Sequence, residues 1–238
     1  MKIVIITTET THHTYFIQQI VKYYSIDLII IEKNSIIPKF PTQHNFEIKR
    51  ESYEQEVFFN NNKDLFIKKL GKTLEVNRAN DQKSVRILKK IQPDIIIVFG
   101  SQKISEEVMM CCPQGIINLH GGDPEYYRGL DSHLWAIYHD DYSLLVTTLH
   151  HLNAILDDGD IILQSSIRLN RDVKIYQLRH YNTNICIELV LSGLDMYKRF
   201  GHFISRPQNL KGRYYSFMPS VLKDLCEKKF EHYIKSLP

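Results

Sequence analysis

The chain has 238 residues, of which 43% are hydrophobic and 24% charged, with a formal net charge of +3. That length and balance exclude a disordered chain, a collagen-like repeat and a disulfide-stapled miniprotein, and they suffice for one generous domain. With 30 basic against 27 acidic residues, electrostatics gives no case for nucleic acid or a membrane surface, so neither is expected as a partner.

Lys2–Thr7 is an apolar run of strand length. It is too short for a signal peptide's apolar region or a bilayer span, so a cytoplasmic protein is expected. Phe16, Ile20 and Tyr24, with Ile17 and Val21 alongside, then repeat at helical spacing. Asp27–Ile31 is a second strand. From Ile36 to Leu70 the pattern weakens around Pro38, Pro41 and the run Asn60-Asn61-Asn62. A mixed excursion is expected there, with a helix near Asn62–Leu70. Val85, Leu88 and Ile91 predict a helix over Asp81–Gln92. Asp94–Phe99 and Gly115–Leu119 are further strands, separated by a short helix, Ser105–Cys112, with acids in its first turn.

Continuous Ile- and Val-rich runs suit strands buried on both faces, and their alternation with helices predicts an α/β, Rossmann-like, doubly wound, mostly parallel sheet. The second half differs. His133–His139 looks helical, Leu144–Leu152 and Asp160–Leu169 look like strands joined across Asp157-Asp158-Gly159, and Asp172 is placed to cap a long helix, Val173–Phe200. An aromatic loop, Gly212–Pro219, precedes a last helix, Ser220–Ile234. The expected organisation is a core over 1–170 and a short C-terminal extension, 171–238, packed upon it.

Cys111, Cys112, Cys186 and Cys226 form no Cys-x-x-Cys pair and read as buried structural residues. The pairs His12-His13 and His150-His151 do not favour a metal, because neighbours on a strand point to opposite faces. No metal is expected. The turn after the first strand, Thr7–His13, has no glycine to admit a pyrophosphate. Nor is there a Walker A motif, a Gly-x-Ser-x-Gly elbow or a His-Glu-x-x-His.

The informative segment is Ile117–Gly129, Ile-Asn-Leu-His-Gly-Gly-Asp-Pro-Glu-Tyr-Tyr-Arg-Gly. Asn118 and His120 share one face at the carboxyl end of a buried strand, where open α/β sheets bind ligands. An amide donor beside an imidazole suits holding an oxyanion and moving a proton. Alone, the pair is better read as a turn cap and a satisfied core histidine. Gly121-Gly122, then Tyr127-Arg128-Gly129, then Leu149-His150, then Leu156-Asp157-Asp158-Gly159-Asp160 follow in order.

This order resembles the folate-dependent formyltransferase family, closely over about Pro93–Leu163 and loosely at the opening strand and helix. The resemblance implies a catalytic trio of Asn118, His120 and Asp157, with Asp158 and Asp160 as fallback carboxylates. It implies 10-formyltetrahydrofolate as co-substrate, against Phe99, Gly100, Ser101, Lys103 and Ile104. A purine-pathway member would carry a Gly-rich phosphate loop, and a methionyl-tRNA member a β-barrel after the Asp157 turn, where this chain reads as helical.

The segments His133–Tyr138 and Gly212–Pro219 look like those of nucleotide-sugar N-formyltransferases. A thymine base needs stacking and a diphosphate needs cations, which Tyr127, Arg128, Arg213 and Tyr215 offer, with Glu9 and His12 as further acceptor contacts. The expected acceptor is dTDP-4-amino-4,6-dideoxyglucose, with GDP-perosamine and related amino sugars as alternatives. Such sugars enter surface polysaccharides such as the O-antigen of lipopolysaccharide. A 10-formyltetrahydrofolate hydrolase and a non-catalytic nucleotide-sugar-binding module are the competing readings, and a homodimer is expected.

Overall fold

The computed structural model describes residues 1–62 and 64–238. The first half alternates strand and helix: β1 (Ile3–Thr7), α1 (Thr11–Ile20), β2 (Leu28–Glu32), α2 (Asn45–Phe59), β3 (Thr73–Val76), α3 (Gln82–Ile91), β4 (Ile95–Phe99), α4 (Glu106–Met109) and β5 (Ile116–His120). There follow β6 (Tyr127–Gly129), α5 (Ser132–Tyr138), β7 (Val146–His151), β8 (Ile161–Ser166), α6 (Leu178–Phe200), β9 (Arg213–Tyr215) and α7 (Ser220–Ser236).

A seven-stranded sheet runs β3-β2-β1-β4-β5-β7-β8. The first five of these strands are parallel, and β7 and β8 continue antiparallel. Strand order reverses between β1 and β4, and a crevice forms beyond the carboxyl ends of strands at such a switch point. The fold is thus the mostly parallel α/β sheet expected from the strand runs. A separate parallel pair, β6 with β9, stands beside it.

Period two sorts β1 between two cores. Ile3 and Ile5 pack with Phe16 and Ile20 of α1 and Val190 and Leu194 of α6. Val4 and Ile6 face Val85 and Leu88 of α3 and Val108 of α4. Each fully buried Ile, Leu or Val contributes roughly 1.5–3 kcal/mol. A third cluster joins α5 to α7 through Ala136, Ile137, Cys226, Phe230 and Ile234, and takes in Phe46 of α2 and Leu178 of α6.

Two expectations are corrected. No α-helix lies over Asn62–Leu70 among the described residues. Instead α2 occupies Asn45–Phe59, capped by His44, and only a 3-10 turn, Ile67–Lys69, follows. Its buried positions are Phe46, Glu54 and Phe58, so one contact residue is charged and the apolar stripe is thin. Second, α6 begins at Leu178 behind a 3-10 turn, Ile175–Gln177, whose cap is Lys174 rather than Asp172. Helix α6 packs on the sheet, with Cys186, Leu189, Val190 and Leu194 in the cluster that holds Ile3 and Ile97. The edge strand β3, partly exposed, was not expected at all.

Candidate active site

A cavity of about 590 Å³ sits where the β1, β4 and β5 exits converge. His12 and His13 of α1, the β4 exit from Val98 to Ile104, Asn118 and His120 of β5, His150 of β7 and the Leu156-Asp157 turn line it. Three helices close it further, through Phe46 and Arg50 of α2, Ser132 and His133 of α5, and Leu178, Arg179 and Asn182 of α6.

Asn118, His120 and Asp157 meet in this cavity. Oδ2 of Asp157 lies 3.6 Å from Nδ1 of His120, and both side chains are buried. The other ring nitrogen, Nε2, donates to the Tyr127 carbonyl at 2.8 Å. His150 completes the set. Its Nδ1 donates to the His151 carbonyl at 2.7 Å, which leaves Nε2 to accept from Nδ2 of Asn118 at 3.1 Å. That same Nε2 is 3.7 Å from Oδ1 of Asp157. One carboxylate therefore faces two imidazoles, and one N–H of Asn118 remains for a ligand. Burial alone would raise the Asp157 carboxyl. His120, His150 and the Gly129 N–H outweigh it and hold the group well below the usual carboxylate range.

The turn that presents Asp157 is built by the Tyr-Arg-Gly triplet. Asp157 has a φ of 52°, a left-handed conformation that aspartate tolerates better than most residues. Nε of Arg128 donates to the Leu156 carbonyl at 2.9 Å, Nη2 donates to the same oxygen, and Nη1 stands 3.7 Å from Asp158. The Gly129 N–H donates to Oδ2 of Asp157 at 2.8 Å. Gly129 has a φ of 94°, and a Cβ there would lie 2.1 Å from the Tyr215 carbonyl oxygen across β6–β9. The triplet is thus a clamp on the aspartate.

Phe99, Gly100, Ser101, Lys103 and Ile104, expected against folate, all line the cavity. This strip is bolted from outside. The Gln102 N–H donates to buried Glu32 at the end of β2 (3.1 Å), and Gln102 Nε2 donates to the Asn34 carbonyl (2.7 Å). Asn80 Nδ2 donates to the Lys103 carbonyl at 2.9 Å, and its Oδ1 accepts the Ser105 N–H at 2.8 Å. Gly100 has a φ of 78°, and its α-carbon is backed so closely by the His13 ring that a Cβ would lie 2.2 Å from Nε2.

Of the six residues expected at the acceptor, His12 alone lines the cavity. Glu9 is turned outward and accepts the Ile67 N–H at 3.0 Å. Arg128 is buried at the Asp157 turn, so its guanidinium is engaged inside the fold rather than offered to an anion. Tyr127 stacks on Tyr215 with ring centroids 5.5 Å apart, and its hydroxyl donates to Asp141. Tyr215 stacks in turn on Trp135 at 4.8 Å. Arg213 is exposed on β9, where it pairs with Tyr127. The aromatic tail therefore packs α5 and α7 together. Asp158 and Asp160 do not line the cavity.

Sequence reasoning did not assign Arg50, His133, Arg179 or Lys223, which line the cavity from helices whose partners are distant in the chain, or Asp131, which lines it just before α5. Burial holds His12 well below the ordinary imidazole value. It takes His13 down to about 3, assisted by Arg179, and His133 down to about 4. These imidazoles are neutral walls near pH 7. Among the described residues, no group of three or more His, Cys, Asp or Glu is arranged to hold a metal ion, and no helix is long and apolar enough to cross a membrane.

Comparison with known proteins agrees with this architecture. The family model described as Formyl transferase matches residues 1–181, so the chain belongs to the formyl transferase family. A curated relative, the methionyl-tRNA formyltransferase of Caldanaerobacter subterraneus subsp. tengcongensis, is 27% identical over 179 residues, 74% of this chain and 57% of that protein. The chain thus spans little more than half of that relative's length. Among solved structures, a sugar N-formyltransferase from Shewanella sp. FDAARGOS_354 superposes with a TM-score of 0.62 at 17% identity, covering 91% of this chain and 77% of that one. The formyltransferase PseJ from Anoxybacillus kamchatkensis, solved with UDP-4,6-dideoxy-4-formamido-L-AltNAc and tetrahydrofolate, gives a TM-score of 0.54 at 20% identity, covering 99% and 92%. These likenesses show the fold.

Proposed function

We propose that this chain transfers the formyl group of 10-formyltetrahydrofolate to the amino group of a nucleotide-linked amino sugar, with dTDP-4-amino-4,6-dideoxyglucose as the acceptor to test first. One observation carries the reading. Asn118, His120 and Asp157 converge on a single cavity that the Phe99–Ile104 strip also lines. The strip suits a pterin. Val98, Ile104, Leu152 and Ile155 offer apolar walls. Sugar N-formyltransferases among the structures of this fold support the acceptor class.

The folate supplies an activated formyl group. The remaining N–H of Asn118 and the Nε2–H of His120 are the donors for the formyl oxygen as negative charge builds on it. In the resting geometry the Tyr127 carbonyl holds that Nε2–H, so the ligand must compete for it. Asp157 orients His120 and balances its charge when protonated. The proton leaving the amine passes toward the folate nitrogen by way of this pair or a water beside it. Holding two substrates in line in one cavity supplies up to roughly 7–11 kcal/mol of the barrier reduction.

The test is a direct assay. The protein is incubated with 10-formyltetrahydrofolate and a panel of dTDP- and GDP-linked amino sugars, and the products are weighed by mass spectrometry. A sugar heavier by one formyl group is the expected result. Folate turnover without a formylated sugar would assign water as the acceptor and replace this reading with a hydrolase. Nucleotide-sugar binding with neither turnover would make the chain a binding module.

A further inference from the structure

The cavity walls carry cations that the trio does not use, and all but one of those on its helical side are already satisfied. Lys223 of α7 is fully buried, and its Nζ donates to the Thr42 carbonyl at 2.6 Å and to Glu47 Oε1 at 2.9 Å. Arg179 of α6 is paired bidentately with Glu54, at 2.7 and 2.5 Å, and reaches Glu51 at 3.3 Å. Arg50 of α2 is different. Its nearest carboxylate is Glu47 at 3.6 Å, outside hydrogen-bond range and already held by Lys223. Its Nε is sealed from solvent with no acceptor among the described residues. Burying that one donor of the guanidinium fork without an acceptor is costly.

The position of Arg50 tells which ligand it serves. Ile104 of the strip belongs to the core on the α3 and α4 face of the sheet, while Phe99 packs with Phe16 of α1 on the opposite face. Helix α2 packs instead on α1 and on the turn before α6, over the opposite face. Arg50 therefore lines the cavity on the side away from the strip's anchors. Beside it stands the N-terminus of α1. Thr10 makes no side-chain cap there, and the first-turn residues His12 and His13 are neutral cavity walls. Free backbone N–H groups and the helix dipole favour an anion at such an end. Asp131, also on the wall, has one oxygen committed to the Met218 N–H at 2.8 Å, and burial favours its uncharged form.

We infer that Arg50 is the anion-binding residue of the acceptor lobe, and that the group it holds is the diphosphate of the acceptor. This rests on the proposed function for the class of acceptor. Two bridged phosphates present acceptor oxygens to both the guanidinium fork and the α1 N-terminus.

Binding of dTDP, GDP, UDP and pyrophosphate, measured by calorimetry on the full chain and on R50Q and R50K, tests the inference. 5-Formyltetrahydrofolate is titrated in parallel as a probe of the other lobe, and thermal melting checks the fold. The expected result is that the wild-type chain binds at least one diphosphate, that R50Q weakens it about tenfold or more, and that R50K loses less. Folate affinity stays within about twofold. Unchanged diphosphate affinity in both variants, loss of folate affinity instead, or no diphosphate binding by a wild-type chain that binds folate would each overturn it. Its failure is separable from that of the proposed function. A chain that formylates a nucleotide sugar with the same acceptor KM in R50Q refutes the inference alone. One that binds dTDP through Arg50 but formylates nothing refutes the activity alone.

Discussion

The backbone N–H of Gly129 donates to Oδ2 of Asp157 at 2.8 Å, and that same oxygen faces Nδ1 of His120 at 3.6 Å. A residue of the short β6–β9 ribbon thereby sets the orientation of a carboxylate in the loop between β7 and β8. Gly129→Ala would place a Cβ 2.1 Å from the Tyr215 carbonyl at a φ of 94°, so β6 or β9 must move. The expected outcome is a loss of about 1–3 kcal/mol in unfolding free energy and a fall in kcat larger than any change in the substrate KM values. Urea unfolding with steady-state kinetics checks it. Wild-type kcat in a folded variant would uncouple the ribbon from Asp157.

Asn118→Ala and His120→Ala each remove a donor from the proposed formyl-oxygen site. Turnover should fall at least about a hundredfold in each, the usual consequence of losing one such donor. His150→Ala acts at one remove. It frees the Asn118 amide and takes one partner from Asp157, so kcat should fall while folate affinity holds. Circular dichroism establishes the fold, and single-turnover rates separate chemistry from binding. Near-wild-type turnover in His120→Ala would remove that residue from the mechanism.

The sheet was legible because β1, β2 and β4 are nearly continuous apolar runs and β5 is interrupted only by Asn118 before it ends at His120, and burial on both faces writes itself as such a run. Asn118 and His120 share a face because their spacing follows the strand period, whereas Asp157 was set beside them by the family resemblance; the three side chains meet in one cavity. Arg128 was misassigned for a physical reason. A Tyr-Arg-Gly triplet shows a charge and an aromatic, but not that a carbonyl 28 positions away consumes the guanidinium. Arg50 was invisible for the converse reason. Helix α2 buries little apolar surface, so its period is faint, and that Arg50 lacks an acceptor emerges only once Lys223, 176 positions after Glu47, has taken that carboxylate.

Acid should destabilise this fold earlier than its carboxylates alone imply. Burial depresses His13 from 6.5 to about 3 and His133 from 6.5 to about 4. A histidine whose folded value lies below its unfolded one adds stability above pH 6.5, and loses it as pH falls toward the folded value. Each contributes a slope of up to about 1.4 kcal/mol per pH unit in that window. The urea midpoint is therefore expected to drop between pH 7 and pH 5. His133→Gln, which keeps a donor for the Val146 carbonyl and removes the titration, should flatten the dependence. A midpoint independent of pH over that range would contradict the assignment.

Glu32 at the end of β2 offers a way to loosen the folate strip without touching its lining. One carboxylate oxygen accepts the Gln102 N–H at 3.1 Å, and the other is buried with no hydrogen-bond partner among the described residues. Burial raises this carboxyl above its ordinary value, the Gln102 and Ala79 N–H groups opposing. With the folded value above the unfolded one, stability is greatest below pH 4.5 and is lost as pH rises through the folded value, because ionisation is then forced in a dry place. Glu32→Gln keeps an acceptor for Gln102 and cannot ionise, so at pH 7 it should be at least as stable as the wild-type chain, with the folate KM unchanged. Glu32→Ala leaves the Gln102 N–H unpaired and should raise the folate KM several-fold, an effect on the order of 1 kcal/mol, with the acceptor KM unaffected. Equal folate KM values in the two variants would mean that the strip keeps its shape without Glu32, and that Asn34, Arg78 and Asn80 suffice to hold it.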